Sequence, residues 1–394
     1  MVIAEPREPQ VQLVERGTQR VRAGHPWVFR GDVSTPPDAE GGAIVRVVDT
    51  RGGFLGRAYW AAHSPIAVRM LTRHDEPCDT TFFRARLTRA LQLRQRLYPE
   101  ADAYRLVHGE ADRLPGLFVD RYGDALALQA VSEGADARLA LWVEILRDLL
   151  APRVIVAKHD ASAREFEGLV REQVLLLGGP DAPAQFHEGE NVFTLDLMTD
   201  LKTGAFLDQR ENHLRAAELM PQGGIALDTF SYHGGFALAL ATKAREVVAV
   251  ELDATAAKRL QHNAQANTKP VTVMCANAFD ELRAFERARR EFDFVVLDPP
   301  AFAKRQGDLA AAMRAYKELN LRALRLVAPG GLLVTCSCSG KMTSERFGAM
   351  IGAAVADVKR PVQIIERRGA SRDHPALLGV PETEYLKAWV LRAV

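Results

Sequence analysis

The stretch Asp228-Thr-Phe-Ser-Tyr-His-Gly-Gly-Phe236 is the most informative sequence signal for the fold of the carboxyl-terminal half of the chain. Asp228 ends an apolar run that is typical of a buried strand, and Gly234 and Gly235 begin an apolar pattern with helical spacing. The stretch therefore predicts a tight turn from a strand into a helix. At such a turn the glycines allow the backbone to come close to a ligand.

The same alternation of strand and helix patterns continues along the chain on both sides of this turn. The predicted strands are 225–228, 246–251, 271–275, 293–298 and 331–336. Because a helical pattern separates each strand from the next, we expect an α/β fold with a doubly wound parallel sheet. Such sheets bind ligands at the carboxyl ends of their strands. The polar residues at or just beyond these ends are Asp228, Glu251, Asn277, Asp298 and Cys338.

Two features of this half indicate a cofactor that contains adenosine but no pyrophosphate. Glu251 closes an apolar run, where its carboxylate can accept hydrogen bonds from both hydroxyls of a ribose. A dinucleotide needs the spacing Gly-x-Gly-x-x-Gly, whereas this turn is crowded by Phe230, Tyr232 and His233 and has one glycine pair. The pattern favours S-adenosylmethionine.

The run Leu297-Asp298-Pro299-Pro300 predicts a rigid loop next to the cofactor. Two prolines fix the backbone angles and remove hydrogen-bond donors, so they can hold the carboxylate of Asp298 in one place. We expect Asp298 to bind the polar edge of a base.

Two cysteines lie at the end of the last predicted strand, where Cys336 is followed by Ser337-Cys338-Ser339-Gly340. Carbon 5 of a cytosine is too electron-poor to take a methyl group, but a thiolate that adds to carbon 6 makes carbon 5 nucleophilic. A base must then remove the carbon-5 proton, and the sequence does not identify it. Cys338, beyond the strand, is the candidate nucleophile, whereas Cys336 is expected to be a buried structural residue.

Length and composition set limits on the class of protein. A chain of 394 residues predicts two or three domains, and a net charge of +1 gives no general signal for a polyanionic partner. No apolar stretch approaches the ~18 residues of a membrane helix, and the first residues lack a signal-peptide pattern. Four cysteines without zinc or redox spacing fit a reducing compartment and predict no metal site. We expect a cytoplasmic protein without membrane association.

Two smaller domains are predicted before the α/β domain, which is placed at 186–394. Residues 1–75 alternate short apolar runs with Gly and Pro, and residues 76–185 mix strand and helix patterns and end at a breaker cluster. They predict a β-rich domain and a compact α+β domain.

Basic residues occur in both smaller domains. In the first, Arg20, Arg22 and Arg30 lie near two aromatic residues, Trp27 and Phe29. These residues can contact phosphates and stack on bases, or they form a solvated rim around core aromatics.

A helical pattern at 84–97 begins the middle domain. Four arginines are expected to project from it to form a basic surface: Arg84, Arg86, Arg89 and Arg96.

The chain resembles bacterial S-adenosylmethionine-dependent 23S rRNA cytosine-carbon-5 methyltransferases that carry an amino-terminal PUA domain. The resemblance covers nearly the whole chain. It depends on Gly24-His-Pro-Trp-Val-Phe-Arg-Gly31, Lys202-Thr-Gly-Ala-Phe-Leu-Asp-Gln-Arg210, Asp228 to Phe236, Asp298-Pro-Pro300, Ser337-Cys-Ser-Gly340 and Asp373-His-Pro375. It implies an RNA-binding PUA domain and a Rossmann-like class I methyltransferase domain with a seven-stranded, mostly parallel sheet. It also implies large-subunit rRNA as a partner and allows a homodimer.

The resemblance also implies roles for single residues. Cys338 matches the nucleophile and Asp298 the carboxylate that orients the base. The expected cofactor contacts are Gln209, Asp228, Phe230, Tyr232, Gly234, Glu251, Asn277 and Asp298.

The chain departs from the family pattern at three positions. Ala301 stands where many such enzymes carry a second cysteine that helps product release. The lysine often found after the prolines is absent, although Lys304 is near. Asn277 stands where an aspartate commonly binds the adenine amine, and its amide oxygen can still accept a hydrogen bond.

Two alternative hypotheses stay open. The chain can be an RNA methyltransferase that acts on an exocyclic amine of guanine or adenine, because the loop of Asp298 also suits an amino group; Cys338 would then not be needed. It can also be a non-catalytic ribosome assembly factor that binds RNA and keeps the methyltransferase fold.

Overall fold

The computed structural model of the protein describes residues 8–179, 183–200, 202–302 and 308–394, so Lys304 lies outside the described residues. Within these ranges the chain forms two compact units. The first contains Met1–Ala184, Leu195–Ala205 and Pro375–Pro381, and the second contains Gln185–Thr194, Phe206–His374 and Glu382–Val394. The division into domains at 1–75, 76–185 and 186–394 stays a prediction.

The first unit begins with a β domain. Its elements are β1 (Gln10–Leu13), α1 (Glu15–Arg22), β2 (Trp27–Phe29), β3 (Val33–Thr35), β4 (Ile44–Val48), β5 (Phe54–Trp60) and β6 (Ile66–Thr72). In the described residues the strands form a six-stranded sheet in the order β2-β6-β5-β4-β1-β3, in which only β1 and β4 run parallel. Alternation along the strands buries apolar side chains such as Val45, Val47 and Trp60. The predicted β-rich fold is confirmed.

The three arginines that the sequence predicted for RNA contact in this domain have partners within the protein. Arg22 pairs with Asp49 at 2.8 Å, and Arg30 donates hydrogen bonds to the carbonyls of Ala61 at 2.6 Å and Ser64 at 2.8 Å. Arg20 lies over the ring of Phe29, 4.7 Å from its centroid. These contacts favour the solvated-rim interpretation over direct phosphate contact for Arg30.

The rest of the first unit is an α+β region, as predicted. Its helices are α2 (Thr80–Leu97), α3 (Glu133–Asp136), α4 (Leu139–Leu150) and α5 (Ala163–Phe166), and its strands are β7 (Ala103–His108), β8 (Leu117–Tyr122), β9 (Ala125–Ala130), β10 (Val154–His159) and β11 (Glu172–Leu177). In the part of the chain that the structure describes, these strands form a five-stranded sheet in the order β11-β10-β9-β8-β7. Helix α2 begins where the side chain of Asp79 accepts a hydrogen bond from the amide of Phe82.

Helix α2 is less basic at its surface than the sequence predicts. Arg86, expected at the surface with Arg84, Arg89 and Arg96, is 6% exposed and donates to the carbonyl of Leu71 at 2.7 Å. Burial lowers the pKa of Arg86 to about 10. The prediction for Arg86 is wrong because its guanidinium satisfies backbone carbonyls inside the protein, which helical spacing does not reveal.

The second unit contains the α/β fold. The short strands β12 (Ala184–Glu188) and β13 (Asn191–Leu195) pair with each other. The remaining strands are β14 (Ile225–Thr229), β15 (Glu246–Glu251), β16 (Val271–Cys275), β17 (Phe292–Leu297), β18 (Val327–Ser337), β19 (Val362–Arg368) and β20 (Lys387–Ala393). The helices are α6 (Arg210–Leu219), α7 (Gly235–Leu240), α8 (Ala254–Ala266), α9 (Ala278–Arg287), α10 (Leu309–Leu326) and α11 (Ser344–Val358).

Over the described residues, the large sheet has seven strands in the order β16-β15-β14-β17-β18-β20-β19. The first five strands in this order are parallel, and β20 is antiparallel to both β18 and β19. This confirms the predicted seven-stranded, mostly parallel sheet. The order reverses between β14 and β17, and ligands of doubly wound sheets bind at such a reversal.

The core of this unit explains why its strands appear as continuous apolar runs in the sequence. Helices α9, α10 and α11 cover one face of the sheet, where Phe292, Val295, Tyr316, Leu319 and Phe347 are buried together. Among the described residues, none of the helices combines the length and the apolar character needed to cross a bilayer.

Candidate active site at the carboxyl edge of the large sheet

Five parallel strands of the large sheet end at one edge and bring the predicted site residues into a row. The register of the strands puts their carboxyl ends level. Glu251 pairs with Cys275, Thr229 pairs with both Val250 and Leu297, and Leu297 pairs with Thr335. Along the edge the order of the site residues is Asn277, Glu251, Asp228, Asp298 and Cys338. At about 4.8 Å between neighbouring strands, the row spans about 19 Å from β16 to β18.

The turn after β14 has an unusual backbone. Phe230 and Tyr232 have φ angles of +62° and +47°, and Gly234 has φ of +94°. Bulky residues rarely adopt the left-handed region, and such conformations persist where the surroundings enforce them, often at ligand sites. Here the amide of Tyr232 donates to Glu251 Oε2 at 2.8 Å, and Ser231 Oγ donates to the carbonyl of Asp228 at 2.9 Å.

Close packing requires both glycines of the turn. A Cβ atom on Gly234 would lie 2.6 Å from Leu238 Cδ1, and a Cβ atom on Gly235 would overlap the imidazole of His213. His213 is buried, and its Nδ1 lies 2.6 Å from Glu188 Oε1. Burial alone would lower the pKa of His213, but the carboxylate of Glu188 outweighs it and raises that pKa. A buried ion pair therefore supports the start of helix α7.

Glu251 connects the ends of β15 and β14. Its Oε2 accepts from the amide of Tyr232 and its Oε1 from the amide of Asp253, both at 2.8 Å. Each carboxylate oxygen has a second lone pair, so Glu251 can hold the turn and still accept hydrogen bonds from a ribose. The half-buried position of Glu251 leaves it accessible to a ligand.

Asp228 and Gln209 carry buried polar atoms that lack hydrogen bonds of normal geometry among the described residues. These atoms are both carboxylate oxygens of Asp228 and the side-chain amide nitrogen of Gln209. Burial raises the pKa of Asp228 to about 7, and the nearby carboxylate of Asp298 acts in the same direction. The carboxylate oxygens of Asp228 can accept hydrogen bonds from the amino group of a methionyl moiety, and the amide of Gln209 can donate one to its carboxylate. These two residues therefore suit S-adenosylmethionine.

Asn277 has a structural role that the sequence did not reveal. It is the N-cap of helix α9, where its side-chain oxygen accepts from the amide of Phe279 at 2.9 Å. The side chain is exposed at the edge of the sheet. The helix start therefore explains its position, and its role in adenine binding stays a prediction.

Burial separates the two thiols at the end of β18. Cys336 is fully buried, and burial raises its pKa well above the ordinary value, so it stays a neutral thiol. Cys338 follows the last residue of the strand and is half-buried. The hydroxyls of Ser337 and Tyr316 lie 3.1 Å apart, and burial raises the pKa of Tyr316 to about 12.

Two residues near the turn of Cys338 were not selected from any sequence pattern. Lys387 Nζ donates to the carbonyls of Ser339 and Tyr385, both at 2.7 Å, and the hydroxyl of Tyr385 donates to Asp208 Oδ2 at 2.7 Å. Lys387 and Tyr385 follow Cys338 by more than 45 residues in the sequence. Only the pairing of β18 with β20 brings them to this position.

Comparison with known families and proteins matches both parts of the chain. The PUA-like domain family matches residues 11–73, and the S-adenosylmethionine-dependent methyltransferase family matches residues 174–368. Three relatives are named ribosomal RNA large subunit methyltransferase I. The protein of Erwinia tasmaniensis is 36% identical to this chain, and the match covers 94% of this chain and 96% of the relative. The protein of Tolumonas auensis is 37% identical, with the same two coverages. The protein of Salmonella arizonae is 35% identical, and the match covers 99% of this chain and 98% of the relative.

Solved structures show the same fold at low sequence identity. A methyltransferase crystallised in complex with SAH superimposes with a TM-score of 0.84 at 18% identity, over 97% of this chain and 99% of its own. An S-adenosylmethionine-dependent methyltransferase from Streptococcus mutans gives a TM-score of 0.83 at 18% identity, with the same coverage.

Proposed function

The chain belongs to the ribosomal RNA large subunit methyltransferase I family, and we propose that it methylates carbon 5 of a cytosine in large-subunit rRNA through a covalent adduct with Cys338. Dependence on S-adenosylmethionine follows from the family. The observation that supports the choice of atom is the half-buried thiol of Cys338, which lies one strand away from the loop of Asp298. An enzyme that methylates an amine directly needs no thiol at this place.

The order of residues along the sheet edge suggests how the cofactor lies. Asn277 and Glu251 would bind adenine and ribose, and Asp228 and Gln209 the methionyl amine and carboxylate. Phe230 and Tyr232 line the turn between them. When bound, S-adenosylmethionine supplies an electrophilic methyl group. The residues proposed for adenosine follow β15 and β16, so the methyl group would lie nearer β17 and β18, which carry Asp298 and Cys338.

The reaction needs Cys338 as a thiolate. Its electron pair forms a bond to carbon 6 of the cytosine, and the displaced ring electrons make carbon 5 the nucleophile that takes the methyl group. A base then removes the proton from carbon 5, the bond between sulfur and carbon 6 breaks, and the electron pair returns to Cys338. Asp298 orients the ring by accepting a hydrogen bond from the exocyclic amine.

The first unit would bind the RNA through its PUA-like domain. Carbon 6 of a stacked and paired cytosine is closed to attack, so the target must be single-stranded or flipped out of its helix. Arg89 and Arg96 of helix α2 are exposed and can contact phosphates.

Replacement of Cys338 by Ala tests this proposal. Transfer of tritiated methyl groups from the cofactor to deproteinised large-subunit rRNA should fall by at least about 10³-fold, because the covalent route is lost. Digestion of RNA methylated by the wild type should yield 5-methylcytidine by mass spectrometry. Cys275→Ser is the matched control, because this thiol is exposed at the end of β16, away from β18.

Each outcome identifies a different function. Full activity of Cys338→Ala with a methylated amine in the digest would support the exocyclic-amine hypothesis. RNA binding without any methyl transfer by the wild type would support an assembly factor. Both results would contradict the covalent route.

A further inference from the structure

Lys387 holds its amino group at the turn that carries Cys338. It is the first residue of β20 and pairs directly with Ser337, the last residue of β18. Its Nζ donates to the carbonyl of Ser339, the residue after Cys338, and to the carbonyl of Tyr385, both at 2.7 Å. An ammonium group has three N–H donors, so two of them fix its position and one remains.

The position of Lys387 is reinforced from the other side. Tyr385 donates its hydroxyl to Asp208 Oδ2 at 2.7 Å, and the carbonyl of Asp208 accepts from the amide of Ser371 at 2.8 Å and from its hydroxyl at 3.0 Å. The carbonyl of Tyr385, which Lys387 binds, therefore belongs to a residue whose side chain is also held by a hydrogen bond. Lys387 is half-buried, so its long side chain has little freedom to leave.

Among the described residues near Cys336 and Cys338, two carboxylates disfavour a thiolate. Asp298 in the loop after β17 and Asp208 before α6 carry negative charges that raise the pKa of Cys336, two residues before Cys338. Cys336 on the same strand and Tyr316 from α10 are neutral, because burial raises the pKa of each. A thiol in these surroundings needs a cation to be a thiolate near neutral pH.

Lys387 provides such a cation from β20. Its Nζ is bound to the carbonyl of the residue next to Cys338; burial lowers the pKa of Lys387 to about 8, and a negative charge on Cys338 acts in the opposite direction. At pH 7 the amino group is thus mostly protonated. The attraction is reciprocal: an ammonium that is stabilised by the thiolate stabilises that thiolate equally.

We propose that the ammonium group of Lys387 keeps Cys338 in the thiolate form for attack and stabilises the same thiolate when it leaves the methylated base. The inference rests on the proposed function of Cys338. Lys387 acts through Cys338 and is a positioning residue. The thiol proton of Cys338 passes to solvent before attack, and the electron pair that forms the bond to carbon 6 returns to sulfur at the end. Lys387 keeps its own proton throughout, so its positive charge stabilises the thiolate both before attack and after departure from the methylated base.

The rate of alkylation of Cys338 by iodoacetamide measures the thiolate directly. The full-length protein is treated over pH 5 to 10, and the label on the Cys338 peptide is quantified by mass spectrometry. The wild-type midpoint should lie below the ordinary thiol value of about 8.5, and Lys387→Met should raise it by at least about one pH unit. Lys387→Arg, which keeps the charge, should stay closer to the wild type.

Lys243→Met is the matched control. Lys243 is also half-buried and also donates to a backbone carbonyl, that of Glu218 at 2.8 Å, but it precedes β15 and lies at the opposite edge of the sheet. Its replacement should leave the Cys338 midpoint unchanged.

Methyl transfer separates an electrostatic role from a merely structural one. At pH 7 the rate of Lys387→Met should be about tenfold lower, in proportion to the lost thiolate, and the difference should shrink as the pH rises. A structural role would lower the rate equally at all pH values.

The outcomes also separate this inference from the function on which it rests. If Cys338→Ala is inactive but Lys387→Met shows the wild-type alkylation midpoint, the role of Lys387 is wrong and the covalent route stands. If Cys338→Ala is active, the covalent route itself is wrong. Should Lys387→Met fail to fold, the wild type still decides, because a Cys338 midpoint at or above about 8.5 overturns the inference.

Discussion

Two turns at the same edge of the large sheet are held in different ways. Two hydrogen bonds of the turn after β14 come from residues close in the sequence: Ser231 bonds to Asp228 three residues earlier, and Tyr232 bonds to Glu251 nineteen residues later. The turn after β18 is fixed by a distant partner, since Ser339 bonds to Lys387, which follows it by 48 residues. The hydrogen bonds of the proposed cofactor turn are thus largely local, whereas the surroundings of the proposed nucleophile form only when β20 joins the sheet.

The largest effect should come from Asp228→Asn. This variant tests whether the buried carboxylate of the first turn lowers the free energy of unfolding while it serves to bind a ligand. The folded-state pKa of Asp228 is about 7 against an ordinary value of 3.8. A raised pKa favours the folded state fully below pH 3.8, and this contribution is lost as the pH rises to about 7. The difference in the free energy of unfolding, Asn variant minus wild type, should therefore grow by up to about 4 kcal/mol over that range.

Urea unfolding without cofactor at pH 5, 6 and 7 measures the part of this difference between those pH values, about 2 kcal/mol, and calorimetry measures affinity for S-adenosylmethionine. The variant should bind the cofactor at least about tenfold more weakly, because it loses a charged partner. Parallel pH curves for the two proteins would contradict the titration of Asp228. Unchanged affinity would remove the functional contrast between the two turns.

Gly235→Ala tests whether the first turn depends on close packing. The added methyl group would overlap His213, and overpacking of this kind costs about 1–3 kcal/mol of stability. The loss should become smaller when His213 is already replaced by Ala, since the obstacle is gone. Urea unfolding of the double-mutant cycle measures the coupling. An equal loss in both backgrounds would show that backbone conformation, and not the imidazole, limits this position.

Glu251→Gln tests the link between the two strand ends. The amide keeps one oxygen acceptor but directs an NH₂ group at one of the two backbone amides, so stability should fall by about 1 kcal/mol. Affinity for S-adenosylmethionine should fall by about tenfold if the carboxylate also binds ribose.

Asp253→Ala is the control for Glu251→Gln. It removes the N-cap of α8 and costs about 1 kcal/mol without touching the proposed ribose contact. Equal affinity losses in the two variants, measured by calorimetry, would assign Glu251 a purely structural role.

The smallest effect should come from Ser337→Ala in the second turn. The variant loses the contact between the hydroxyls of Ser337 and Tyr316 beneath Cys338, which should lower the free energy of unfolding by about 1 kcal/mol. Methyl transfer should fall only a few-fold, because Lys387 still holds the backbone of Ser339. A loss of activity as large as that of Cys338→Ala would mean that this turn, too, is fixed by its immediate neighbours.

The sequence predicted the elements of the α/β fold well because its signals are local. All five strands predicted from apolar runs are present, and helix α7 begins at Gly235, next to the expected Gly234. Strand β18 begins at Val327 instead of residue 331, because Val327 pairs with Phe292 ahead of the apolar run. Arg86 was misjudged for a related reason: its partner, the carbonyl of Leu71, belongs to another element.

Local sequence signals were enough to locate the strand ends, the glycine turn and the proline loop, because strand ends, turns and helix starts depend on neighbouring residues. Sequence patterns also predicted that Cys336 is buried and that Cys338 lies beyond the strand. The order of the strand ends along the edge and the approach of Lys387 to the turn of Cys338 are seen only in the folded protein. The physical reason is that strand order and antiparallel register depend on the free energy of packing the whole sheet, which no local pattern encodes.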